Sequence, residues 1–217
     1  MKTGRSTILA LAALLCAAAP ASAQVVYDNG GPNGQGGNEM TAWAQAEDFS
    51  LAAPATIGAV RFWGVERDAS SYQGSIFWAI LANDGAQPGS VLASGLATPD
   101  RVAAGSTYFG TRYQYDFSIA PLALSDGVYW LALHNGPLAT ESREELYWET
   151  TGTNATLRGM ETQLPDTDGW SSNGSEHAFL LSGAQQSVVP EPGTVMLTAT
   201  GLLGLGLGVS RRRRRTA

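Results

Sequence analysis

Hydrophobic and polar residues alternate along most of the middle of the chain, which is the pattern of half-buried β-strands. Residues 42–51 and 57–66 carry this alternation in part, and at residues 112–119 aromatic and aliphatic side chains occupy every second position. Residues 75–82 and 127–133 are apolar on both faces, as expected for central strands that are covered on each side. Weaker strand signals lie at residues 25–28, 90–97, 145–150, 155–161 and 176–181.

Short turn signals separate these runs, and most of them are Asn-Gly, Asp-Gly or Pro-Gly pairs. No stretch between the two hydrophobic ends of the chain shows a helical period. Nine or ten short strands, with enough residues for one core, predict an all-β fold. We expect an antiparallel two-sheet sandwich that is jelly-roll-like, flanked by an N-terminal signal helix and a C-terminal transmembrane helix, with a closed barrel as the alternative.

The N-terminal end has the three parts of a secretory signal peptide, which we assign to residues 1–23. Two basic residues precede an apolar stretch, and small residues lead to the expected cleavage between Ala23 and Gln24. Cys16 is the single cysteine, so no disulfide is expected in the mature chain. The β-sandwich domain is then expected to comprise residues 24–186.

A second apolar run, residues 194–210, lies near the C-terminus and contains 17 residues without a charge. As a helix it is roughly 25 Å long, whereas a hydrocarbon core is about 30 Å thick. It can span the bilayer if the arginines after it snorkel to the headgroups. The positive-inside rule places the basic tail, residues 211–217, in the cytoplasm. The stop-transfer charges are Arg211, Arg212, Arg213, Arg214 and Arg215.

A short stalk, residues 187–193, joins the domain to this run and contains Pro190, Glu191 and Pro192. The two prolines favour an extended segment that exposes Glu191 at the membrane surface. The order of Pro-Glu-Pro, a short glycine-rich span and an arginine cluster resembles the PEP-CTERM sorting signal of Gram-negative bacteria. The resemblance covers about 28 residues and includes all three parts, and an ordinary type I membrane anchor is the alternative.

The resemblance to PEP-CTERM proteins implies a route for this chain. In that family, an integral-membrane cysteine transpeptidase called exosortase recognises the signal and releases the protein to the cell surface or into exopolysaccharide. The resemblance therefore implies export through the inner membrane, a membrane-anchored precursor, and an exosortase-type enzyme and exopolysaccharide as partners. The same kind of tail is also labelled as the C-terminal domain of ice-binding proteins, but nothing else in the sequence supports ice binding.

Seven segments of the domain carry a second resemblance. They are VVYDNGGPNGQGGNEM, AEDFSL, VRFWG, GSIFWAI, GVYWLALHNG, LYWET and SNGSEHAF. Together they resemble the uncharacterised ectodomains that often accompany PEP-CTERM tails. This resemblance covers nearly the whole domain and supports a β-sandwich, and it implies no established activity.

The domain is strongly acidic, with 18 Asp and Glu against six Arg and no Lys, a net charge of −12. Such a surface repels phosphate backbones, which excludes a nucleic-acid partner. It suits a secreted protein and could attract divalent cations. Candidate calcium ligands are Asp166 and Asp168, with the loop acids Asp28, Glu39 and Asp84. Because the Asp166 segment is only a fragment of an EF-hand loop, we interpret these acids as solvated and predict no metal and no cofactor.

Candidate catalytic groups are few. His134 and His177 are the only histidines, and no serine lies in a G-x-S-x-G elbow, so a serine hydrolase lacks support. His134 follows a buried strand, and we expect it to cap the next turn. The acid pairs Glu47-Asp48 and Glu144-Glu145 suggest a glycosidase, but neighbours in a strand point to opposite faces, so neither pair can form its carboxyl dyad by itself. We therefore predict no catalytic residue.

Six tryptophans raise the alternative of carbohydrate binding, because sugars stack on flat aromatic faces beside polar rims. Trp78 and Trp130 lie in strands that are apolar on both faces, and we expect them in the core. The candidates for a ligand face are Trp43, Trp63, Trp148 and Trp170. The function predicted from the sequence is a non-enzymatic surface or matrix protein, and the alternative is a carbohydrate-active enzyme or a lectin-like carbohydrate-binding module.

Overall fold

The computed structural model of the protein describes residues 24–140, 142–152, 159–163 and 169–184. These residues form thirteen β-strands and no helix, which confirms the prediction of an all-β fold. Within the same ranges, no helix is long and apolar enough to cross a bilayer. The expected signal helix, stalk and transmembrane helix lie outside the described residues.

Seven antiparallel strands of the described chain form one sheet, which we call sheet A. They are β1 (Val25–Asp28), β2 (Pro32–Glu39), β4 (Ala55–Glu66), β7 (Asp100–Ser106), β8 (Thr111–Leu124), β10 (Leu146–Thr151) and β13 (Phe179–Gly183). One edge of β4 pairs with β8, and β7 extends the sheet beyond β8. The other edge of β4 pairs with β13 near its start and with β10 near its end. β1 and β2 lie outside β13 and β10, respectively.

The remaining six described strands form sheet B, which is also antiparallel. They are β3 (Trp43–Leu51), β5 (Ile76–Asp84), β6 (Gln87–Ala97), β9 (Gly127–Asn135), β11 (Met160–Gln163) and β12 (Ser171–Ser172). Their order across the sheet is β12-β11-β3-β9-β5-β6. β11 pairs with β3 only at residues 43–46, while β9 occupies the opposite edge. No described strand therefore covers the β3 edge from Glu47 onward.

The main core lies between the two sheets. Each sheet contributes to this core every second residue of its strands. Phe62, Trp148 and Phe179 point into it from sheet A, and Phe49 and Leu131 from sheet B, and all five are fully buried. Burial of apolar surface on this scale is the main stabilising contribution to such a fold. Two separate sheets packed over one core confirm the predicted antiparallel sandwich.

A second, smaller apolar cluster lies on the other face of sheet B. Its buried members are Ala46, Ala79, Leu81, Trp130 and Ala132. Trp130 is fully buried, and its Nε1 donates to Asn83 Oδ1 at 3.0 Å. The cluster explains why β5 and β9 are apolar on both faces, and it confirms that they are central strands covered on each side. Trp78 packs in the main core, as predicted.

Three strands, β2, β7 and β12, lie outside the sequence predictions. β2 has the sequence PNGQGGNE, which carries turn residues and no apolar alternation. It nevertheless pairs with β10, and the two backbones approach closely. A Cβ atom on Gly37 would lie 2.8 Å from the Trp148 carbonyl oxygen, so this approach requires glycine.

Two buried glutamates hold arginines on sheet A. Glu66 is 2% exposed, and both of its carboxylate oxygens accept hydrogen bonds from Arg101. Glu149 is fully buried and accepts from Arg112 Nε at 2.6 Å and Nη2 at 2.5 Å. These charge-assisted pairs connect β7 to β4 and β8 to β10, across strands that are not direct neighbours.

Candidate functional site

The four tryptophans predicted as a ligand face do not lie together. Trp148 is fully buried in the main core, where its Nε1 donates to a backbone carbonyl at 3.0 Å and its ring stacks on His177. Trp63 is half-buried in sheet A, whereas Trp43 begins β3 and Trp170 packs against the smaller cluster of sheet B. The prediction is wrong for Trp148, because its sequence neighbours point to the other face of β10 and leave its own ring in the core.

His134 has the structural role that its position predicted. It is fully buried, with Nδ1 3.0 Å from the Gly136 carbonyl oxygen and Nε2 2.6 Å from that of Thr41. The imidazole thus connects the turn after β9 to the segment before β3. A side chain held in this way contributes to the fold and is not exposed to a substrate.

Three carboxylates converge at the part of β3 that no described strand pairs with on this edge, and we call Glu47, Asp48 and Glu176 the acid cluster. One carboxylate oxygen of each lies within 4.8 Å of the others. Glu47 and Glu176 are 0% and 1% exposed, and Asp48 is half-buried. Glu47 and Asp48 are neighbours in β3, and their carboxylates meet only together with Glu176 from a distant part of the chain; that the pair cannot form a glycosidase dyad by itself stays a prediction.

The charge state of Glu47 follows from its surroundings. Burial, and then the neighbouring Glu176 carboxylate, raise the pKa of Glu47 to about 10, so the group is protonated at neutral pH. Burial lowers the pKa of His177 to about 3, which keeps its imidazole neutral. The contact of 2.7 Å between Glu47 Oε2 and His177 Nδ1 is therefore a neutral hydrogen bond rather than an ion pair. The other oxygen, Glu47 Oε1, is buried and has no hydrogen-bond partner.

β1 brings the phenol of Tyr27 close to the acid cluster. The pKa of Tyr27 is raised to about 12, first by burial and then by the acid cluster and Asp28. Tyr27 donates to Asn29 Oδ1 at 3.0 Å, and the Asn29 amide donates to the His177 carbonyl at 2.9 Å. The cluster is thus enclosed by β1, β3 and the segment before β13. Its chemistry, several carboxylate oxygens in one partly closed site, suits a hard divalent cation.

The acids predicted as candidate calcium ligands do not gather in the structure. Asp28 Oδ1 accepts from a backbone amide at 2.9 Å, and Glu39 accepts from two backbone amides at 3.0 and 2.9 Å. Asp84 is exposed at the turn between β5 and β6. Asp166 and Asp168 lie outside the described residues. The acid cluster could have been suspected from the acid pair inside AEDFSL. Carboxylates in a buried strand require a compensating partner, so this pair indicated a site.

A groove of about 660 Å³ lies on sheet A, beside the end of β6. The polar side chains that line it include Arg61, Asp100, Asp116, Ser118 and Ser182. Arg61 Nε donates to Asp116 Oδ1 at 2.6 Å, and Gln114 donates to the other oxygen of Asp116 at 2.6 Å. The groove is a second site, in which these polar side chains lie beside apolar residues such as Trp78 and Phe117, and none of the acid cluster lines it.

Comparison with protein-family models, with curated proteins and with solved structures finds no match to this chain. The fold and the two sites define its class as an antiparallel two-sheet β-sandwich with a buried acid cluster and an open groove.

Proposed function

We propose that this protein is a non-enzymatic component of the cell surface or the extracellular matrix. The observation that carries the proposal is the ordered series of the Pro-Glu-Pro stalk, the uncharged run 194–210 and the basic tail 211–217. The signal peptide exports the chain through the inner membrane, and the uncharged run holds a membrane-anchored precursor. An exosortase-type transpeptidase then releases the domain to the surface or into exopolysaccharide.

The proposal includes a jelly-roll-like topology for the domain. β3, β4 and β5 alternate between sheets B and A, and so do β8, β9, β10 and β11, an arrangement typical of jelly-roll double sheets. Such a sandwich buries one face of each sheet and leaves the outer face of sheet A available to a partner. This arrangement suits a module that is displayed outside the cell, although a fold alone does not define a function.

The arrangement of acids favours a non-enzymatic role over a carbohydrate-active enzyme. A glycosidase needs two carboxyls that face the substrate across a cleft. In the acid cluster, Glu47 is fully buried and cannot contact a glycosidic bond. In the groove, both oxygens of Asp116 already accept from Arg61 and Gln114, which holds this carboxylate in an ion pair.

The groove supports a second function, lectin-like binding of a neutral polysaccharide. Ser118, Ser182 and the Arg61–Asp116 pair offer hydrogen-bond donors and acceptors to sugar hydroxyls. The domain net charge of −12 disfavours a polyanionic chain. Binding to exopolysaccharide through this groove would retain the released domain in the matrix.

Replacing Ser118 by Tyr tests the groove. Ser118 is exposed on β8, so stability should change by no more than about 0.5 kcal/mol. The added ring occupies the groove, and we expect about tenfold weaker binding to exopolysaccharide purified from the producing cells. Affinity electrophoresis measures the change. Ser50→Tyr, at an exposed serine of sheet B, is the matched control and should bind like the parent; equal binding by both variants would exclude the groove.

Deleting residues 211–215 tests the sorting role of the tail. Without the five arginines nothing stops translocation, so we expect the full-length chain to shift from the membrane fraction to the medium. Cell fractionation, with mass spectrometry of both chain ends, measures this shift. Five lysines in place of the arginines keep the charge and should restore the parent distribution. An unchanged distribution after the deletion would contradict the stop-transfer role.

A further inference from the structure

We propose that the acid cluster is a calcium site that connects the last described strand to β3. Glu47 and Asp48 belong to sheet B, and Glu176 lies shortly before β13 of sheet A. One oxygen of each lies within 4.8 Å of the others. Two oxygens bound to one calcium ion at about 2.4 Å are at most about 4.8 Å apart, so the three carboxylates can share one ion.

A buried oxygen atom of Glu47 provides a second argument for the site, separate from the clustering of three acids. Glu47 is 0% exposed, and its Oε2 accepts from the His177 backbone amide at 2.8 Å. Its Oε1 is buried without a hydrogen-bond partner. Buried polar atoms are nearly always paired in folded proteins, and each exception calls for a physical reason. A cation coordinated by Oε1 supplies that reason.

The available donor atoms select calcium among the common divalent ions. The side-chain atoms that can bind an ion are carboxylate oxygens. The two ring nitrogens of His177 are already hydrogen-bonded, Nδ1 to Glu47 and Nε2 to Asn38 Oδ1 at 3.0 Å, so they do not serve as ligands. Zinc, which prefers nitrogen and sulfur ligands, is therefore disfavoured. Calcium takes six to eight oxygens in irregular geometry, and water or backbone carbonyls can complete its shell, whereas magnesium demands a regular octahedron.

The position of the site indicates what the ion would do. The Glu176 carbonyl accepts from the Thr151 amide at 2.8 Å, so this segment is already bonded to β10 in sheet A. A calcium ion shared with Glu47 and Asp48 adds a connection to sheet B. The affinity expected for an extracellular module of this kind is about 10⁻⁴ to 10⁻³ M. This role does not depend on how the tail is processed.

Thermal unfolding of the full chain in detergent tests the site. At a calcium concentration about ten times its Kd, we expect a Tm roughly 3 to 6 °C higher than in EGTA. Asp48→Asn and Glu176→Gln keep the side-chain size and remove one ligand charge, so each should lose most of this increase. Asp126→Asn, at an exposed turn, is the matched control and should keep the full increase.

Direct titration with calcium chloride provides a second measurement, in which Asp48→Asn should bind one ion fewer per chain than the parent. A parent Tm that is the same in calcium and in EGTA would overturn the site. So would an undiminished increase in both cluster variants. An increase of equal size in magnesium would overturn the assignment to calcium.

Discussion

Replacing Glu149 by Ala is expected to lower the free energy of unfolding by about 3 to 5 kcal/mol, because it removes one partner of a buried ion pair. The Glu149 side chain is 0% exposed and that of Arg112 is 18% exposed, so the remaining charge is poorly solvated. The same carboxylate accepts from the Gly34 amide at 2.9 Å, and this bond is lost as well. Urea denaturation at neutral pH measures the change.

An exposed ion pair of the same protein provides the control for this effect. Arg67 and Glu145 lie 3.4 Å apart, with side chains that are 60% and 36% exposed. Because water solvates both groups, Arg67→Ala should cost only about 0 to 1 kcal/mol. Similar losses for Glu149→Ala and Arg67→Ala would contradict the conclusion that burial gives the Glu149 pair its importance for the fold.

Changes at the Pro-Glu-Pro motif are expected to abolish processing of the tail. From the sequence we expect Pro190 and Pro192 to keep Glu191 in an extended stalk, whose backbone a membrane enzyme can take as a strand-like substrate. Glu191→Gln keeps this shape and removes the charge. Replacing both prolines by Ala keeps the charge and allows the segment to join the helix expected after it. In a host with an exosortase-type enzyme, both variants should stay membrane-bound with their arginines, whereas the parent should lose them.

Mass spectrometry of the C-terminal peptide and cell fractionation measure the outcome of this experiment. Glu144→Gln, at a partly exposed acid of the domain, is the matched control for loss of one charge and should be processed like the parent. Comparison of the two motif variants separates recognition of the charge from recognition of the shape. If both are trimmed as fast as the parent, or if the mature parent keeps residues 211–215, the chain is an ordinary type I membrane protein.

The strands of the core could be predicted because burial imposes a period of two on any strand with one covered face. β3, β4 and β8 overlap the three alternating segments, and β5 and β9 overlap the two runs that are apolar on both faces. The same local pattern placed Trp78 and Trp130 in the interior. These features depend on the chain near each residue and are therefore present in the sequence.

β2 and β7 could not be predicted, because neither strand has a regularly buried face. Every residue of β7 is exposed, and the strand is held by backbone pairing with β8 and by the bond from Arg101 to Glu66. β2 is rich in glycine, and its pairing depends on the close approach of Gly37 to β10. Backbone hydrogen bonds impose no pattern on the side chains of a strand. Such strands can therefore be recognised only once the strands that pair with them are known.

The sequence by itself determined the alternating strands, the acidic charge of the domain and, as a prediction, the sorting tail, because each of these is a local property. Only the tertiary structure decided the burial of Trp148 and the assembly of the acid cluster. The cluster forms where the segment before β13 passes beside β3, as the hydrogen bond from the His177 amide to Glu47 shows. Glu47 and Glu176 lie far apart along the chain, so their meeting depends on how distant segments pack and not on any pattern around either residue.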